Sequence, residues 1–257
     1  WIDHPYFLPC LFASLLSSVS LALAIRLLPE SLPADKRTRQ EGPKEIGRLL
    51  TNLNSIMTMP APVRGLVYTN SAFLLAFTMM HATFILFTAM PVADGGLGYD
   101  ERMNGYIFAY VGLVGVIVQG GLIRKLSERY EAGSLMAIGI ILTALGLGSI
   151  PYLKPTPLVI GLLVMTLIAA GNGLFPPTQS TMLTQESRAQ GLDLGSVMGV
   201  QEGFGALSRI VGPILAAVIW SETVDGTGVW SYHTVFRVAG AIAILAFIIY
   251  RIPSKER

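Results

Sequence analysis

Glu202 and Arg209 place charged side chains in the middle of a long apolar stretch. They stand seven residues apart, so on a helix they point to one side, with about 10 Å between them along the axis. Because this separation exceeds the i,i+4 spacing of the usual helical ion pair, we expect each side chain to have a different partner, on a neighbouring helix or on a missing half of the protein. A carboxyl group at such a position can carry protons or face a substrate, and the alternative is a structural hydrogen bond that fixes packing. For Arg209 we favour a structural or gating role.

Further polar side chains lie in the same kind of apolar sequence. His81 has an imidazole whose ordinary pKa is near neutrality, which suits a proton relay as well as a hydrogen-bonded packing role. Glu202 and His81 are the candidates for proton coupling. The residues predicted to line a substrate pathway are Asn70, His81, Asn172, Gln179, Gln201 and Glu202. Those predicted to serve gating or structure are Arg209, Gly212, Pro213, Gln119 and Gly121.

The sequence lacks the patterns of common enzymes and metal sites. No His-Glu-x-x-His or Gly-x-Ser-x-Gly motif occurs, and the three histidines lie on different segments. The single cysteine, Cys10, excludes a disulfide or a thiolate metal site within the chain. We therefore predict no enzymatic activity, no metal and no cofactor.

The composition indicates what must position these polar groups. Hydrophobic residues make up 52% of the 257 residues and charged residues only 13%, with a mean hydropathy of +0.59. Soluble domains carry about 25% charged residues, so this chain has too little charge to cover a surface in water. The net charge of +2 also argues against nucleic acid as a partner. The chain is predicted to be an integral membrane protein in contact with the lipid bilayer.

Seven stretches reach the roughly 20 apolar residues that a helix needs to cross a bilayer. They predict an all-α, multi-pass membrane fold. The predicted helices are Tyr6–Leu28, Gly65–Met90, Met103–Ile123, Gly133–Tyr152, Leu158–Leu183, Leu194–Trp220 and Thr234–Ile252.

Basic residues predict the orientation. Fourteen of the 18 Lys and Arg residues lie in the last turn of the first, third, fifth and seventh predicted helices or after these helices. Because basic residues favour the cytoplasmic side, we expect the N-terminus of this chain outside and the C-terminus in the cytoplasm. We expect the membrane to be a cell (inner) membrane. In the long first cytoplasmic loop, apolar residues recur at helical spacing over residues 46–57. They predict an amphipathic helix that lies on the membrane or packs against protein.

Polar residues are distributed unevenly among the predicted helices. The second, third, fifth and sixth carry Asn, Gln, His or Glu within the apolar region, whereas the first, fourth and seventh do not. Since polar side chains in a bilayer usually face protein or water, the first group is predicted to line a cavity and the second to form an outer wall. Pro176, Pro177 and Pro213 predict kinks in the fifth and sixth helices.

Several motifs resemble the C-terminal half of a major facilitator superfamily transporter, most closely the drug:proton antiporter branch near the tetracycline-efflux type. Their spacing in the fifth and sixth predicted helices is the most specific part, and the resemblance covers nearly the whole chain. The matching segments are Leu28-Pro29-Glu30-Ser31, residues 105–112 and 119–126, Gly171-Asn172-Gly173, Pro176-Pro177-Thr178, Gln190-Gly191, Gly195, Gly199, Arg209 and Gly212-Pro213. One departure is Lys125, where the cytoplasmic motif of the family has an acidic residue.

The resemblance implies a helix corresponding to the sixth of the family over residues 1–28, a central cytoplasmic loop over 29–64 and a six-helix bundle over 65–257. It implies a secondary active transporter that exports a small amphipathic compound in exchange for protons. The chain starts at Trp1, so we expect a fragment whose partner is a missing N-terminal half-transporter or a larger membrane complex. The alternative is a transporter-derived structural subunit without transport activity.

Seven helices also describe a G-protein-coupled receptor, and Glu128-Arg129-Tyr130 resembles a receptor signature. The last predicted helix lacks Asn-Pro-x-x-Tyr, and Cys10 has no partner for an extracellular disulfide. We therefore interpret the tripeptide as a coincidence.

Overall fold

The computed structural model describes residues 7–28, 55–224 and 231–252. Within these ranges the chain is helical and contains no strand, and seven helices are long and apolar enough to span a membrane. The predicted all-α membrane fold is confirmed. The helices are α1 Phe7–Leu27, α2 Ala61–Ala89, α3 Glu101–Ser127, α4 Ala132–Ser149, α5 Leu158–Ala189, α6 Leu194–Val224 and α7 His233–Arg251.

The chain divides into two compact units, Trp1–Glu45 and Ile46–Arg257. The first contains α1, a 21-residue apolar helix with Arg26 in its last turn. The second contains α2–α7. Most of the predicted amphipathic helix over residues 46–57 lies outside the described residues, and Ser55–Thr58 form a short 3₁₀ turn. The predicted division into helix, loop and bundle stays a prediction.

Local sequence explains several helix ends. Pro62 lies in the first turn of α2, where a missing N–H costs nothing because it would have no partner in the helix. Asp100 caps α3 by accepting a hydrogen bond from the Met103 backbone N–H at 2.8 Å. After α5, Gly191 takes a positive φ of 64°, which lets the chain turn toward α6.

Helix α2 packs along α6 and α7, α4 packs along α5 and α7, and α3 packs against α5. Helices α2 and α5 also meet, and α4 has the largest buried share, so α2, α4, α5 and α7 form the core of the described bundle. Of α2–α7, α3 is the least buried and α6 the next. Helices α3 and α6 therefore keep much of their surface outside the bundle core.

Glycines bring two helix pairs into backbone contact. A Cβ at Gly171 of α5 would lie 2.6 Å from the Gly139 carbonyl oxygen of α4, and would also overlap Thr143 Oγ1. A Cβ at Gly212 of α6 would overlap Thr78 Oγ1 of α2 and lie 3.2 Å from the Leu75 carbonyl oxygen. Without a large hydrophobic driving force in lipid, such close approach supplies the van der Waals contact that holds helices together.

Candidate substrate pathway

Glu202 and Arg209 form an ion pair within α6. Arg209 Nη2 lies 2.9 Å from Glu202 Oε2, so the expectation that each side chain has a different partner is wrong. The long side chains extend along the helix and close the gap of about 10 Å between their backbones. Gly205 makes room for this, because a Cβ there would lie only 3.1 Å from Arg209 Nη2. Arg209 Nε also donates to the Gly205 carbonyl oxygen at 3.2 Å.

This ion pair lies on an open face of the described bundle. The side chains of Glu202 and Arg209 are 68% and 51% exposed, respectively. Ion pairs with this much exposure contribute little to folding stability. Charged residues on membrane helices are nevertheless costly, and they usually mark a pathway or a partner. Stability alone therefore does not account for the pair.

Helix α2 borders the ion pair. The position that a Cβ of Gly205 would take lies 3.1 Å from Leu74 Cδ1 and 3.8 Å from Asn70 Nδ2. Asn70 itself is only 8% exposed. The amide of Asn70 and the end of the Arg209 side chain therefore both lie within 4 Å of the same point above Gly205, between α2 and α6.

Gln179 and Gln201 join three helices beside the ion pair. Gln179 Nε2 of α5 donates to Gln201 Oε1 of α6 at 2.9 Å and approaches the Leu66 carbonyl oxygen of α2 at 3.4 Å. Gln179 is 2% exposed, whereas Gln201 is half-buried. These amides hold α5, α6 and α2 together. Gln201 immediately precedes Glu202 in the sequence, so this contact lies next to the ion pair on α6.

His81 and Asn172 line a cavity between α2, α3 and α5. Its volume is about 50 Å³, and its wall is aromatic and aliphatic. The His81 ring lies 4.8 Å from the Phe77 ring, centroid to centroid. The lining residues are Phe77, Met80, His81, Phe84, Ile107, Phe108, Val111, Met165, Ile168, Ala169 and Asn172. The cavity thus combines apolar walls with two polar groups, as is usual for small-molecule sites.

One face of α2 connects the ion pair with this cavity. Asn70, Leu74, Phe77 and His81 follow one another at spacings of three or four residues, which places them on the same side of the helix. Leu74 lies beside Gly205 and Arg209, and Phe77 and His81 line the cavity. From Leu74 to His81 the helix rises by about 10 Å. The face of α2 therefore has the Glu202–Arg209 ion pair of α6 beside one end and the aromatic cavity at the other.

The predicted gating residues occupy two other places. Gly212 packs against Thr78, whose hydroxyl lies 3.3 Å from the Ser208 carbonyl oxygen. Pro213 lies within α6 and borders an open groove of about 330 Å³ between α2 and α6. Gln119 and Gly121 lie in a π-helical turn of α3, Val118–Leu122. Such turns are rare and frequently occur at functional sites.

Sequence reasoning missed three parts of this arrangement. The role of Gly205 could have been seen from a glycine placed three residues after Glu202 and four before Arg209. The rings of Phe77, Phe84 and Phe108 come from two helices, and the sequence carries no local signal that they share a cavity. The π turn in α3 likewise has no simple sequence pattern.

The helices and their polar face define a multi-pass α-helical membrane protein, and comparison with known proteins shows its family. The Major Facilitator Superfamily model matches residues 5–213 of the chain. The chain belongs to this superfamily, whose members are membrane transporters rather than enzymes.

A mouse (Mus musculus) protein described as "Major facilitator superfamily domain-containing protein 10" is 28% identical over 255 residues. The match covers 92% of this chain and 52% of the mouse protein, so the chain spans about half the length of this curated relative.

Proposed function

We propose that this chain is part of a secondary active transporter that exports a small amphipathic compound in exchange for protons. The observation that carries the proposal is the exposed Glu202–Arg209 ion pair on a membrane helix, joined along α2 to the cavity at His81. A pathway for an amphipathic compound needs both an apolar surface and a few polar groups that set its orientation. The resemblance to the antiporter branch supports the direction of transport and the coupling ion.

In this proposal Glu202 exchanges protons as the transporter changes conformation. Protonation removes the negative charge that holds Arg209 Nη2 at 2.9 Å, and the guanidinium is then no longer compensated. An uncompensated charge in a membrane site is costly, so proton binding would change the energy of this face of α6. His81, on the same face of α2 as Asn70, is the second candidate for proton transfer. Alternating access would require a second bundle that moves against this one.

The proposal also includes the membrane and the orientation. We place the protein in a cell (inner) membrane with the N-terminus of this chain outside and the C-terminus in the cytoplasm. The asymmetry of basic residues supports this orientation, because Arg124 and Lys125 follow the apolar part of α3, whereas the opposite end of α3 carries only Arg102, in its first turn.

The test uses the full-length gene product in proteoliposomes with an imposed pH gradient, and tetracycline and ethidium as transport probes. Glu202→Gln should abolish proton-driven accumulation of a probe that the unmodified protein moves, since the amide cannot exchange a proton. The control is Glu128→Gln, which removes an exposed carboxylate that pairs with Arg124 at 3.8 Å near the end of α3. This control should transport normally.

Two results would contradict the proposal in different ways. If Glu202→Gln retained full proton-driven transport, the coupling role of Glu202 would be wrong. If the unmodified protein moved neither probe under a pH gradient of either sign, proton antiport of amphipathic compounds would be rejected.

A further inference from the structure

The Glu202–Arg209 pair has hydrogen-bonding capacity to spare. Within the described residues, Arg209 uses Nη2 for Glu202 Oε2 and Nε for the Gly205 carbonyl oxygen. Glu202 Oε1 and Arg209 Nη1 remain for another molecule, and both side chains are more than half exposed. The pair therefore offers an acceptor and a donor of opposite charge on one open surface.

We propose that this surface binds the head of a zwitterionic compound whose flat apolar ring reaches the cavity at His81. An ammonium group of the ligand would meet Glu202 Oε1, and an anionic group would meet Arg209 Nη1. This inference deepens the proposed function by naming the substrate class, and it rests on that function where transport is concerned.

Electrostatics favours a zwitterion over a simple ion at this position. The ion pair is neutral as a whole, so a singly charged ligand would add a net charge to a surface within the membrane region. Unpaired charges are costly where water is scarce. A zwitterionic head instead places each of its charges against the opposite charge of the pair and keeps the total neutral. It also satisfies donors and acceptors on both partners at once.

The cavity at His81 determines which chemical group the ligand carries at the end opposite its charged head. Three phenylalanine rings and the His81 imidazole form much of its wall, and such surfaces favour stacking or edge-to-face contact with another ring. Its volume of about 50 Å³ is well below the roughly 150 Å³ of a cavity that encloses benzene. The cavity therefore admits the edge of a ring, and the rest of the ring would lie along Leu74 and Phe77. The Asn172 amide can bind a polar substituent on that ring.

The distance between the ion pair and the cavity limits the length of the ligand. The helix rises about 10 Å from Leu74, beside the ion pair, to His81 in the cavity. A compound that uses both ends needs a linker of this order between its head and its ring. Amino acids with a ring on a long side chain meet this requirement.

The experiment compares three fluorescent probes that share one ring and differ only in the charge of the head. They are ε-dansyl-lysine, which is zwitterionic, its methyl ester, which is cationic, and Nα-acetyl-ε-dansyl-lysine, which is anionic. Binding is measured as the rise in dansyl fluorescence with full-length protein in phosphatidylcholine nanodiscs, relative to protein-free nanodiscs. The zwitterion should bind about tenfold or more tightly than either ion, as expected for one further charge-assisted contact.

Variants test whether the Glu202–Arg209 pair discriminates between probes by the charge of the head. Glu202→Gln should shift the preference toward the anionic probe, and Arg209→Gln toward the cationic one. The double variant should bind all three probes alike, and Glu128→Gln should behave as the unmodified protein. Phe108→Ala should weaken all three probes by a similar factor, because it changes only the ring end.

Equal affinity of the three probes for the unmodified protein would overturn the inference, as would a zwitterion preference that persists in the double variant. The absence of binding by all three would overturn it as well. Because the three-probe comparison needs no variant, a misfolded variant does not decide the outcome. Failure here would leave proton-driven transport of tetracycline or ethidium intact, so it is distinguishable from failure of the proposed function.

Discussion

Replacing Gly171 by alanine should destabilise the bundle, because this glycine lies where α5 and α4 are in backbone contact. A methyl group there would overlap Thr143 Oγ1 and would lie 2.6 Å from the Gly139 carbonyl oxygen and 2.8 Å from the Thr143 backbone nitrogen. Two of these three neighbours are backbone atoms, which cannot rotate away. The helices would have to separate along one of the largest contacts of the structure.

The expected magnitude follows from two opposing terms. Overpacking a close contact costs about 1–3 kcal/mol. Alanine in place of glycine within a helix stabilises by roughly 0.5–1 kcal/mol. The net loss should be up to about 2.5 kcal/mol, which corresponds to a decrease in Tm of up to about 10 °C for a chain of this size.

The same helix offers a matched control. A Cβ at Gly161 of α5 would meet nothing within 4 Å. Gly161→Ala should therefore show only the favourable helix term and melt at or slightly above the unmodified protein. Both variants are compared in one detergent by thermal unfolding followed by circular dichroism. If Gly171→Ala melted at or above Gly161→Ala, the close contact between α4 and α5 would be refuted.

Three further predictions concern accessibility, orientation and pH. In a background with the native cysteine replaced by serine, Asn172→Cys should react with a small water-soluble methanethiosulfonate. Gln179→Cys should not react, because this position is only 2% exposed. Equal reaction rates of the two variants would contradict the open cavity. In intact cells an impermeant maleimide should label Ala93→Cys and leave Glu128→Cys unlabelled, and the reverse pattern would invert the orientation. Burial raises the pKa of Tyr99, in the loop between α2 and α3, above 10.0, so the folded state holds this proton more tightly than the unfolded state does. The free energy of unfolding should therefore fall as pH rises above about 10, and Tyr99→Phe should reduce this dependence in a pH series of chemical unfolding.

Hydropathy predicted the seven membrane helices found within the described residues, but it placed several of their ends too early or too late. Helix α2 begins at Ala61 instead of Gly65, and α3 continues to Ser127 beyond the predicted end at Ile123. Helix α5 likewise runs to Ala189 instead of Leu183. Hydropathy detects where a segment is apolar, whereas a helix continues into the polar boundary as long as its backbone hydrogen bonds are favourable. Caps and glycines, such as Asp100 and Gly191, fix the true ends.

The candidate site was predictable as a set of residue types and only partly as a geometry. Polar groups in apolar helices identified Glu202, His81 and Asn172, because each is costly in lipid wherever it points. The ion pair was missed because the helical rise measures the distance between backbones and leaves out the length of the side chains. The aromatic wall was missed because Phe84 and Phe108 belong to different helices and meet only after folding.

Glycines in this bundle serve two purposes. One concerns helix packing and hence stability, and the other concerns the candidate site and hence function. Gly171 and Gly212 face atoms of a neighbouring helix, so their small size determines how closely helices pack. Gly205 faces Leu74 of α2 and also the side chain of Arg209 in its own helix, so its small size determines in addition how two charges meet. Pairing lowers the cost of holding either charge in a membrane region, yet the pair stays exposed enough to contribute little to folding. A feature that is inexpensive to keep and open to a ligand is suited to binding, and this is why we assign the substrate head to Glu202 and Arg209 and not to the buried amides of Gln179 and Asn70.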